Sequence, residues 1–398
     1  NSLGRVQTPV LAAISRRYRE RENHISSDSW PIYISLQKDG ILFKMRRTQD
    51  LPDKESATMF FQDCKLAHQA QITGISHSVK EILPPDLLDL TQLQKEANIR
   101  YGFTASEVYD IAQSLYEKKL ISYPRTSSRY LTEDVFDSLP PIMACLLSWE
   151  LFPAAKGTGG IDISNLSRHV ISAEKANVHH AIIITGIRPG NLSEKEMQVY
   201  RLVAGRMLET FMAPCRIETT NVEAVCAAQH FKAEQTRIIE AGWHDVFMRY
   251  DMIPTSGYSV KELPEVEKGD TLNVCGCNMV HKKELPVDPF TDAELVEYME
   301  LNGLGTVSSR TNIIRTLVNR KYIRYSGKYI VPTPKGMFTY ETIRGKKIAD
   351  TSLTADWEKQ LAGLESGMIT GQDFLNRIRT LAKEMTDDIF NTYSTKEE

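Results

Sequence analysis

The chain has 398 residues, of which 41% are hydrophobic and 25% charged, and its formal net charge is −3. This is the composition of an ordinary globular protein, and the length exceeds what one hydrophobic core supports, so we expect two to four domains. No apolar run reaches membrane-spanning length and no signal-peptide pattern opens the chain. We therefore expect a cytoplasmic protein with no membrane partner.

The first predicted element is a helix. Thr8 and Pro9 are typical of an N-cap and a first helical residue. Val10, Ile14 and Tyr18 follow at the four-residue spacing of one helix face, so the helix extends at least to Tyr18.

A β-rich segment follows this helix. Hydrophobic residues alternate with more polar ones over residues 30–36, and Asp39-Gly40 predicts a hairpin turn into a second strand over 41–45. A further strand is predicted over 70–82. Two consecutive prolines then break the pattern and mark a boundary.

Beyond the prolines the pattern is helical. Capping-box signatures at Thr91, Thr104 and Ser193, each with Gln or Glu three residues on, predict three helix starts. The helix that follows Thr104 is predicted to end just before Tyr123.

Strands return over residues 215–279, and helices dominate again from Thr291. Residues 312–319, followed by two short alternating segments at 322–324 and 329–331, predict a helix with a small β-wing. This is a winged-helix-like arrangement, although a generic helical domain would give much the same pattern.

Positive charge is concentrated in two segments. Residues 309–348 hold ten Lys or Arg against one acidic residue, Glu341, and residues 1–25 hold five Arg. A basic zone within an otherwise balanced chain is the footprint of a polyanion-binding face. A solvated, charged helix surface would give the same pattern.

The cysteines offer little evidence for a metal site. All six are scattered, apart from Cys275 and Cys277, which is typical of a reducing cytoplasm rather than of a disulfide framework. Cys275-Gly276-Cys277 could supply half of a metal site, but no second pair completes four ligands. We expect no metal bound by this chain.

The segment around Tyr123 carries the clearest chemical signal. Pro124 pushes Tyr123 out of the α region, just past a predicted helix end. In an extended segment, Arg125 points to the same side as Tyr123. A phenol oxygen beside a guanidinium suits attack on a phosphodiester, because the guanidinium neutralises the phosphoryl oxygens. A half-buried loop tyrosine is the alternative for this tripeptide taken alone.

Short motifs surround this segment in a fixed order. They are Gly4-Arg5-Val6-Gln7-Thr8-Pro9, then Leu90-Thr91 with Leu93-Gln94, Ala112-Gln113 and Leu115-Tyr116-Glu117 before Ile121-Ser122-Tyr123-Pro124-Arg125, then His179-His180-Ala181-Ile182-Ile183, Pro289-Phe290-Thr291-Asp292, Gly303-Leu304-Gly305-Thr306, Ser309-Arg310 and Thr354-Ala355-Asp356-Trp357-Glu358. Together they resemble the type IA DNA topoisomerases, and the topoisomerase III branch in particular, over almost the whole chain. Ser127 departs from the family, whose members often carry Asp there, and leaves a carboxylate partner for Arg125 in doubt.

The resemblance implies roles for further residues. Arg5 and Gln7, just before a helix N-terminus, would contact the single strand upstream of the cut. Ser309 and Arg310 begin a helix whose family counterpart lies near DNA. His179 holds the position of the family's catalytic-region histidine, which could bind phosphate as a cation or assist proton movement.

The resemblance also implies an ATP-independent reaction. Tyr123 would attack a backbone phosphate of single-stranded DNA, leaving a 5′-phosphotyrosine and a free 3′-hydroxyl, and religation would follow strand passage. In the family, Mg²⁺ and the proton-transfer groups belong to an N-terminal Toprim domain. We expect that domain to be missing, because Asn1 is not an initiator methionine and no Asp-x-Asp pair occurs. We therefore expect Mg²⁺ in the intact enzyme, none in this fragment, and single-strand binding without cleavage.

The predicted fold class is multidomain α+β. The resemblance implies a toroidal type IA core, with a β-rich arch, a helical domain that carries the tyrosine and a helical, winged-helix-like base. We predict the base from residues 1–27 and 281–398, the β-rich domain from 28–82 and 214–280, and the tyrosine domain from 83–213. We expect strands of one sheet to make both connections of the chain to the tyrosine domain.

The expected partners are single-stranded DNA and a duplex passing through the ring, with the protein a monomer associated with the nucleoid. Two other interpretations stay open. One is a non-catalytic, winged-helix-like DNA-binding module, and the other is a tyrosine recombinase, whose histidine lies upstream of its tyrosine whereas His179 is downstream. A Tyr123 at a domain interface facing a basic cleft would support the topoisomerase.

Overall fold

The computed structural model describes residues 4–149, 151–152, 161–176, 179–248, 259–365 and 368–394. Asn1 and the side chains of Ala355 and Glu358 lie outside the described part. The helices are α1 Gln7–Glu22, α2 Lys54–Leu66, α3 Leu90–Tyr101, α4 Ala105–Glu117, α5 Glu133–Asp137, α6 Leu139–Ser148, α7 Ala173–Ala176, α8 Glu194–Phe211, α9 Asp292–Leu301, α10 Val307–Asn319, α11 Pro334–Ile343, α12 Thr351–Glu365 and α13 Gly371–Ser394. The strands are β1 Asp28–Ser29, β2 Ile32–Lys38, β3 Ile41–Arg47, β4 Gln69–Ile82, β5 Cys215–Cys226, β6 Gln229–Glu240, β7 Thr271–Met279, β8 Lys282–Lys283, β9 Ile323–Ser326 and β10 Tyr329–Pro332.

Six strands close into a barrel in the order β2-β3-β6-β5-β4-β7, with β7 pairing back to β2. All neighbours are antiparallel. The alternation read from the sequence places Ile32, Ile34 and Leu36 inside, where all three are fully buried. The strands before and after the helical segment therefore share one sheet, as predicted. Closure of that sheet into a barrel was not predicted.

The β-hairpin and one unpredicted helix show how local signals act in this region. The turn at Asp39 and Gly40 is confirmed, with φ angles of 51° and 81°, the left-handed region that a tight hairpin turn requires. Helix α2 was not predicted from the sequence. Its N-cap is Asp53, whose carboxylate accepts a hydrogen bond from the Ser56 N–H at 2.7 Å.

Of the three predicted capping boxes, those at Thr104 and Ser193 are confirmed. The one at Thr91 is wrong. Helix α3 has Asp89 as its N-cap, because that carboxylate accepts from the Gln92 N–H at 2.7 Å. Thr91 lies in the first turn, and its hydroxyl donates towards α9 instead.

The start of α1 also differs from the prediction. The helix begins at Gln7, with Val6 as its N-cap and no side-chain cap. The Thr8 hydroxyl oxygen accepts from the Gly4 N–H at 2.9 Å, so it caps the preceding loop rather than the helix. Pro9 falls within the first turn, where a missing N–H costs nothing because those groups have no intrahelical partner.

Buried hydrophobic residues form three separate clusters. One lines the barrel, a second lies among the helices of residues 87–212, and a third joins α1, α9, α10 and the β9–β10 hairpin. That hairpin after α10 confirms the predicted β-wing. We propose that the chain divides into the three predicted domains, and the three clusters support this division. One departure is that Trp243 and Val246, assigned to the β-rich domain, pack on the helical cluster.

The two connections between the barrel and the helical cluster lie side by side. Ile82, the last residue of β4, pairs with Cys215, the first residue of β5. The Trp243 indole N–H donates to the Ile82 carbonyl at 3.0 Å and fixes this end of the ribbon. The helical segment therefore enters and leaves through paired neighbours.

A buried carboxyl joins the wing to the tyrosine-bearing helices. Asp292, the first residue of α9, is 2% exposed. It accepts the Ala105 N–H at 3.0 Å and the Tyr325 hydroxyl at 3.1 Å. Burial raises the pKa of Asp292 to about 6, because desolvation of the charged form outweighs these two hydrogen bonds.

This raised pKa predicts a pH-dependent stability. Below the ordinary value of 3.8 the carboxyl is neutral in both states. As the pH rises from about 4 to about 6, the unfolded chain ionises first, so the free energy of unfolding falls by roughly 3 kcal/mol. We expect Asp292→Asn to escape this fall, so that its stability relative to the wild type grows over that range and then levels off. Urea unfolding at several pH values measures it, and a difference that stays constant would contradict the prediction.

Candidate active site and nucleic-acid interface

The loop that holds Tyr123 is hydrogen-bonded to a segment far along the chain. The Ser122 N–H donates to the Ile183 carbonyl at 2.8 Å, and the Thr126 hydroxyl donates to the His179 carbonyl at 2.9 Å. One hydrogen bond lies just before Tyr123 in the loop and the other lies after it. They bring the predicted catalytic histidine to the predicted nucleophile.

Three aromatic rings meet at this point. The Tyr123 ring lies 4.4 Å from the His179 ring, centroid to centroid, and 5.5 Å from the Tyr116 ring in an edge-on arrangement. The His179 side chain is exposed and Tyr123 is half-buried, so both side chains are accessible to solvent. His180 differs, since its Nδ1 lies 2.7 Å from the Ala181 carbonyl oxygen.

Arg125 is oriented by a neutral amide. Its Nη2 donates to the Gln113 Oε1 at 3.1 Å, and its guanidinium carbon lies 5.0 Å from the centroid of the Tyr109 ring. The Gln113 amide nitrogen in turn donates to Glu117 at 2.8 Å. Ser127 is exposed, and within the described residues no carboxylate pairs with Arg125. Its positive charge is therefore fixed in place but not neutralised by a direct ion pair.

One stripe on α4 holds both catalytic candidates. Tyr109, Gln113 and Tyr116 follow each other at i, i+4 and i+7, which places them on one helix face. Tyr116 contacts Tyr123, while Gln113 and Tyr109 contact Arg125. Sequence reasoning missed this role, although the helical spacing was visible.

A shallow cleft of about 280 Å³ lies where the N-termini of α1 and α10 meet. Arg5, Gln7 and Ser309 line it, so three of the four predicted DNA-binding residues come together. Helix N-termini carry unpaired N–H groups and a partial positive charge, and both favour phosphate. Gly305 borders the cleft with φ 78°, and a Cβ there would lie 2.9 Å from the Ser309 hydroxyl.

The Arg5 segment is supported from a distant motif. The Thr354 hydroxyl donates to the Arg5 carbonyl at 2.9 Å, and the Arg5 guanidinium lies 5.5 Å from the Trp357 ring. Gln7 accepts from Arg320 at 3.0 Å. These contacts set the direction of both side chains that line the cleft.

Arg310, the fourth predicted residue, does not line this cleft. Its side chain is 10% exposed, and Nη1 donates to Thr91 at 3.1 Å and to Glu300 at 3.2 Å. The prediction of a surface phosphate seat at Arg310 is therefore contradicted. One step along a helix turns the side chain by about 100°, so Ser309 faces the cleft while Arg310 faces α3 and α9.

Ion pairs hold the tyrosine-bearing helices on the base. Lys95 of α3 pairs with Glu297 of α9 at 2.5 Å, and Arg315 of α10 pairs with Asp110 of α4 at 2.8 Å. Helix α4, which contacts Tyr123 through Tyr116, packs on α10, whose N-terminus borders the cleft. The tyrosine loop and the cleft are linked through two helices in contact.

Among the residues that the structure describes, no three side chains of His, Cys, Asp or Glu are arranged to hold a metal ion. The described residues therefore offer no ligand set for a magnesium centre. None of the described helices combines the length and apolar character that crossing a bilayer requires.

Comparison with known proteins gives consistent matches. A family model described as DNA topoisomerase matches residues 1–376. DNA topoisomerase 3 of Bacillus licheniformis is 30% identical over 98% of this chain and 56% of its own length, and DNA topoisomerase 1 of Methanocaldococcus jannaschii is 30% identical over 100% and 50%. Full-length topoisomerase I from Thermotoga maritima superposes with a TM-score of 0.73 over 96% of this chain and 62% of its own, at 23% identity. The chain spans about half the length of these curated relatives.

Proposed function

This chain belongs to the DNA topoisomerase family, in its type IA branch, and from that premise we propose that Tyr123 is the nucleophile that cleaves one DNA strand. The phenol oxygen forms a bond to a backbone phosphorus, and the bond to the 3′-oxygen breaks. A 5′-phosphotyrosine results, and the 3′-hydroxyl reverses the step after strand passage. The ester conserves the bond energy, so no ATP is needed.

The stripe on α4 is the observation that supports this assignment most. Side chains on this one helix face contact both Tyr123 and Arg125, and the His179 ring lies against the tyrosine. Because Arg125 has no carboxylate partner among the described residues, its positive charge is available to stabilise the phosphoryl oxygens. We assign charge stabilisation to Arg125 and contact with the phosphate to His179.

Magnesium and the partners of the reaction complete the proposal. We propose that the Mg²⁺ expected in the intact enzyme is held outside the described residues, which offer no group of ligands for it. We further propose single-stranded DNA as the cleaved substrate and a duplex as the strand that passes, with a monomeric enzyme acting at the nucleoid. Family membership leaves no place for the tyrosine recombinase interpretation.

The cleft predicts how the chain binds single-stranded DNA. We expect Arg5→Ala to weaken binding of a short oligonucleotide several-fold and to reduce the slope of log affinity against log salt by about 1, because one phosphate contact is lost. Fluorescence anisotropy at several salt concentrations measures both quantities.

Arg310→Met is the matched control, since it removes the same charge from a residue that does not line the cleft. It should lower the thermal stability and leave the salt slope of the folded protein unchanged. A larger loss of slope in this variant than in Arg5→Ala would contradict the position assigned to the strand. Mg²⁺-dependent cleavage by the 398-residue chain alone would contradict the proposal that the metal is held elsewhere.

A further inference from the structure

One exposed aromatic ring lies on helix α11. Phe338 is 60% exposed, and it is the only exposed Phe or Trp side chain in the part of the chain that the structure describes. Within that part it packs in none of the three hydrophobic clusters. Its flat apolar face is therefore available to a ligand that can stack on it.

The surface around Phe338 is positively charged. Residues 309–348 hold a single carboxylate, that of Glu341, and Arg19 pairs with it at 2.6 Å. Lys335 lies three residues before Phe338 in α11, so the two side chains share one helix face. Lys335 is exposed, and no carboxylate among the described residues pairs with it. A polyanion is the class of ligand that such a surface favours.

This surface is continuous with the cleft where the N-termini of α1 and α10 meet. Gln7 lines that cleft and accepts a hydrogen bond at 3.0 Å from Arg320, the C-cap residue of α10. The Arg320 carbonyl oxygen in turn accepts from the Lys335 ammonium group at 2.8 Å. Two hydrogen bonds made by exposed basic side chains therefore connect the cleft to the helix that carries Phe338.

Close packing fixes α11 against the end of α10. Gly336 lies directly on the backbone of Tyr322, where an added Cβ would collide with the carbonyl oxygen. The Thr333 hydroxyl donates to the Lys321 carbonyl at 2.6 Å and accepts the Gly336 N–H at 3.1 Å. Phe338 is therefore held on a helix that is fixed before a ligand binds, which lowers the entropic cost of binding.

We propose that the Phe338 ring stacks on a base of single-stranded DNA, in a strand that continues from the cleft past Arg320 and Lys335. This inference rests on the proposed function, which places single-stranded DNA in the cleft. The two basic side chains neutralise phosphates while the ring contacts a base, a combination typical of single-strand binding. Every base has a flat face, so the contact requires no particular sequence. A duplex keeps its bases stacked on one another and offers none of them to the ring.

The test is the affinity of the 398-residue chain for oligo-dT strands of about 4 to about 16 nucleotides, the range of site sizes found on single-strand-binding surfaces. Phe338→Ala should bind the shortest strands as the wild type does, because they fit within the cleft. It should bind the longer strands about tenfold less tightly, since one base stack is lost. Fluorescence anisotropy measures both affinities.

Two further variants separate stacking from charge. Phe338→Trp keeps a flat ring, so it should bind the longer strands as tightly as the wild type. Its indole fluorescence should be quenched by those strands, beyond any quenching of the wild type, and not by the shortest ones. Lys335→Met should reduce the slope of log affinity against log salt by about 1, for the longer strands only.

Leu301→Ala is the matched control. It removes a side chain that is 79% exposed from α9, a helix of the same predicted domain, and it should leave the affinity for every strand unchanged. Because Phe338 is exposed as well, we expect both variants to fold, and thermal unfolding checks this.

Four outcomes would overturn the proposal. One is wild-type affinity of Phe338→Ala at every length, which leaves the proposed function standing if Arg5→Ala still weakens the binding of short strands. Another is an equal loss for the shortest and the longest strands. The third is an equal loss for a blunt duplex. The fourth is a change in sedimentation with unchanged DNA affinity, which would assign Phe338 to a contact between two copies of the chain.

Discussion

Tyr123→Phe in the intact enzyme will abolish the covalent protein–DNA adduct and leave DNA binding nearly unchanged. The substitution removes one oxygen, the proposed nucleophile. It keeps the ring that packs against His179 and Tyr116, so the loop should hold its place. The measurement is denaturant trapping of the adduct with labelled DNA, followed by mapping of the labelled peptide, with binding followed separately by anisotropy.

Two neighbouring tyrosines supply matched controls for this variant. Tyr116→Phe removes a hydroxyl from the ring that touches Tyr123, and Tyr130→Phe removes one from the same loop. Both should still form the adduct. Label recovered on Tyr116 or Tyr130, or an adduct that persists in Tyr123→Phe, would refute the assignment.

Arg125→Ala should slow adduct formation on the order of 10²-fold or more while the nucleophile remains. The loss follows from removing a fixed positive charge from the position where phosphoryl charge develops. Arg125→Lys should recover only part of the rate, because an ammonium cannot present the planar fork that the amide of Gln113 now orients. Single-turnover cleavage with labelled oligonucleotide gives the rate.

Gln113→Ala separates the orientation of Arg125 from its charge. The guanidinium stays but loses its hydrogen bond, so we expect a reduction of about tenfold in the cleavage rate with unchanged DNA affinity. Arg129→Ala is the control for charge in the same loop, since Arg129 is neutralised by Asp89 at 2.8 Å. A loss for Arg129→Ala as large as that for Arg125→Ala would mean that general charge, and not the stripe on α4, sets the rate.

Features encoded by a few adjacent residues could be predicted from the sequence. The Asp39-Gly40 turn requires left-handed backbone that these residues tolerate, and the Thr104 capping box satisfies two N–H groups within four residues. Part of the tyrosine loop could be predicted in the same way, because Pro124 keeps the backbone of Tyr123 out of the α region. The family assignment came from the motif resemblance, and the comparisons confirm it.

Features that depend on distant pairing could not be predicted in the same way. Thr126 and His179 are 53 residues apart in the chain, and only the folded loop brings them into hydrogen-bond contact. Closure of the barrel depends on β7 pairing with β2, which no local pattern encodes. Arg310 illustrates the same limit, because a charged residue at a helix start appears exposed until its partners, Thr91 and Glu300, are placed.

The adjacent entry and exit of the helical segment bear on the order in which the chain folds. Pairing Ile82 with Cys215 in an unfolded chain requires closure of a loop that contains all of residues 83–214. For a flexible loop of that length the entropic cost is about 4 kcal/mol. If residues 83–214 collapse first, their ends are already neighbours and most of that cost is gone. We infer that the barrel, although its strands begin earlier in the chain, is completed after the helices that it carries.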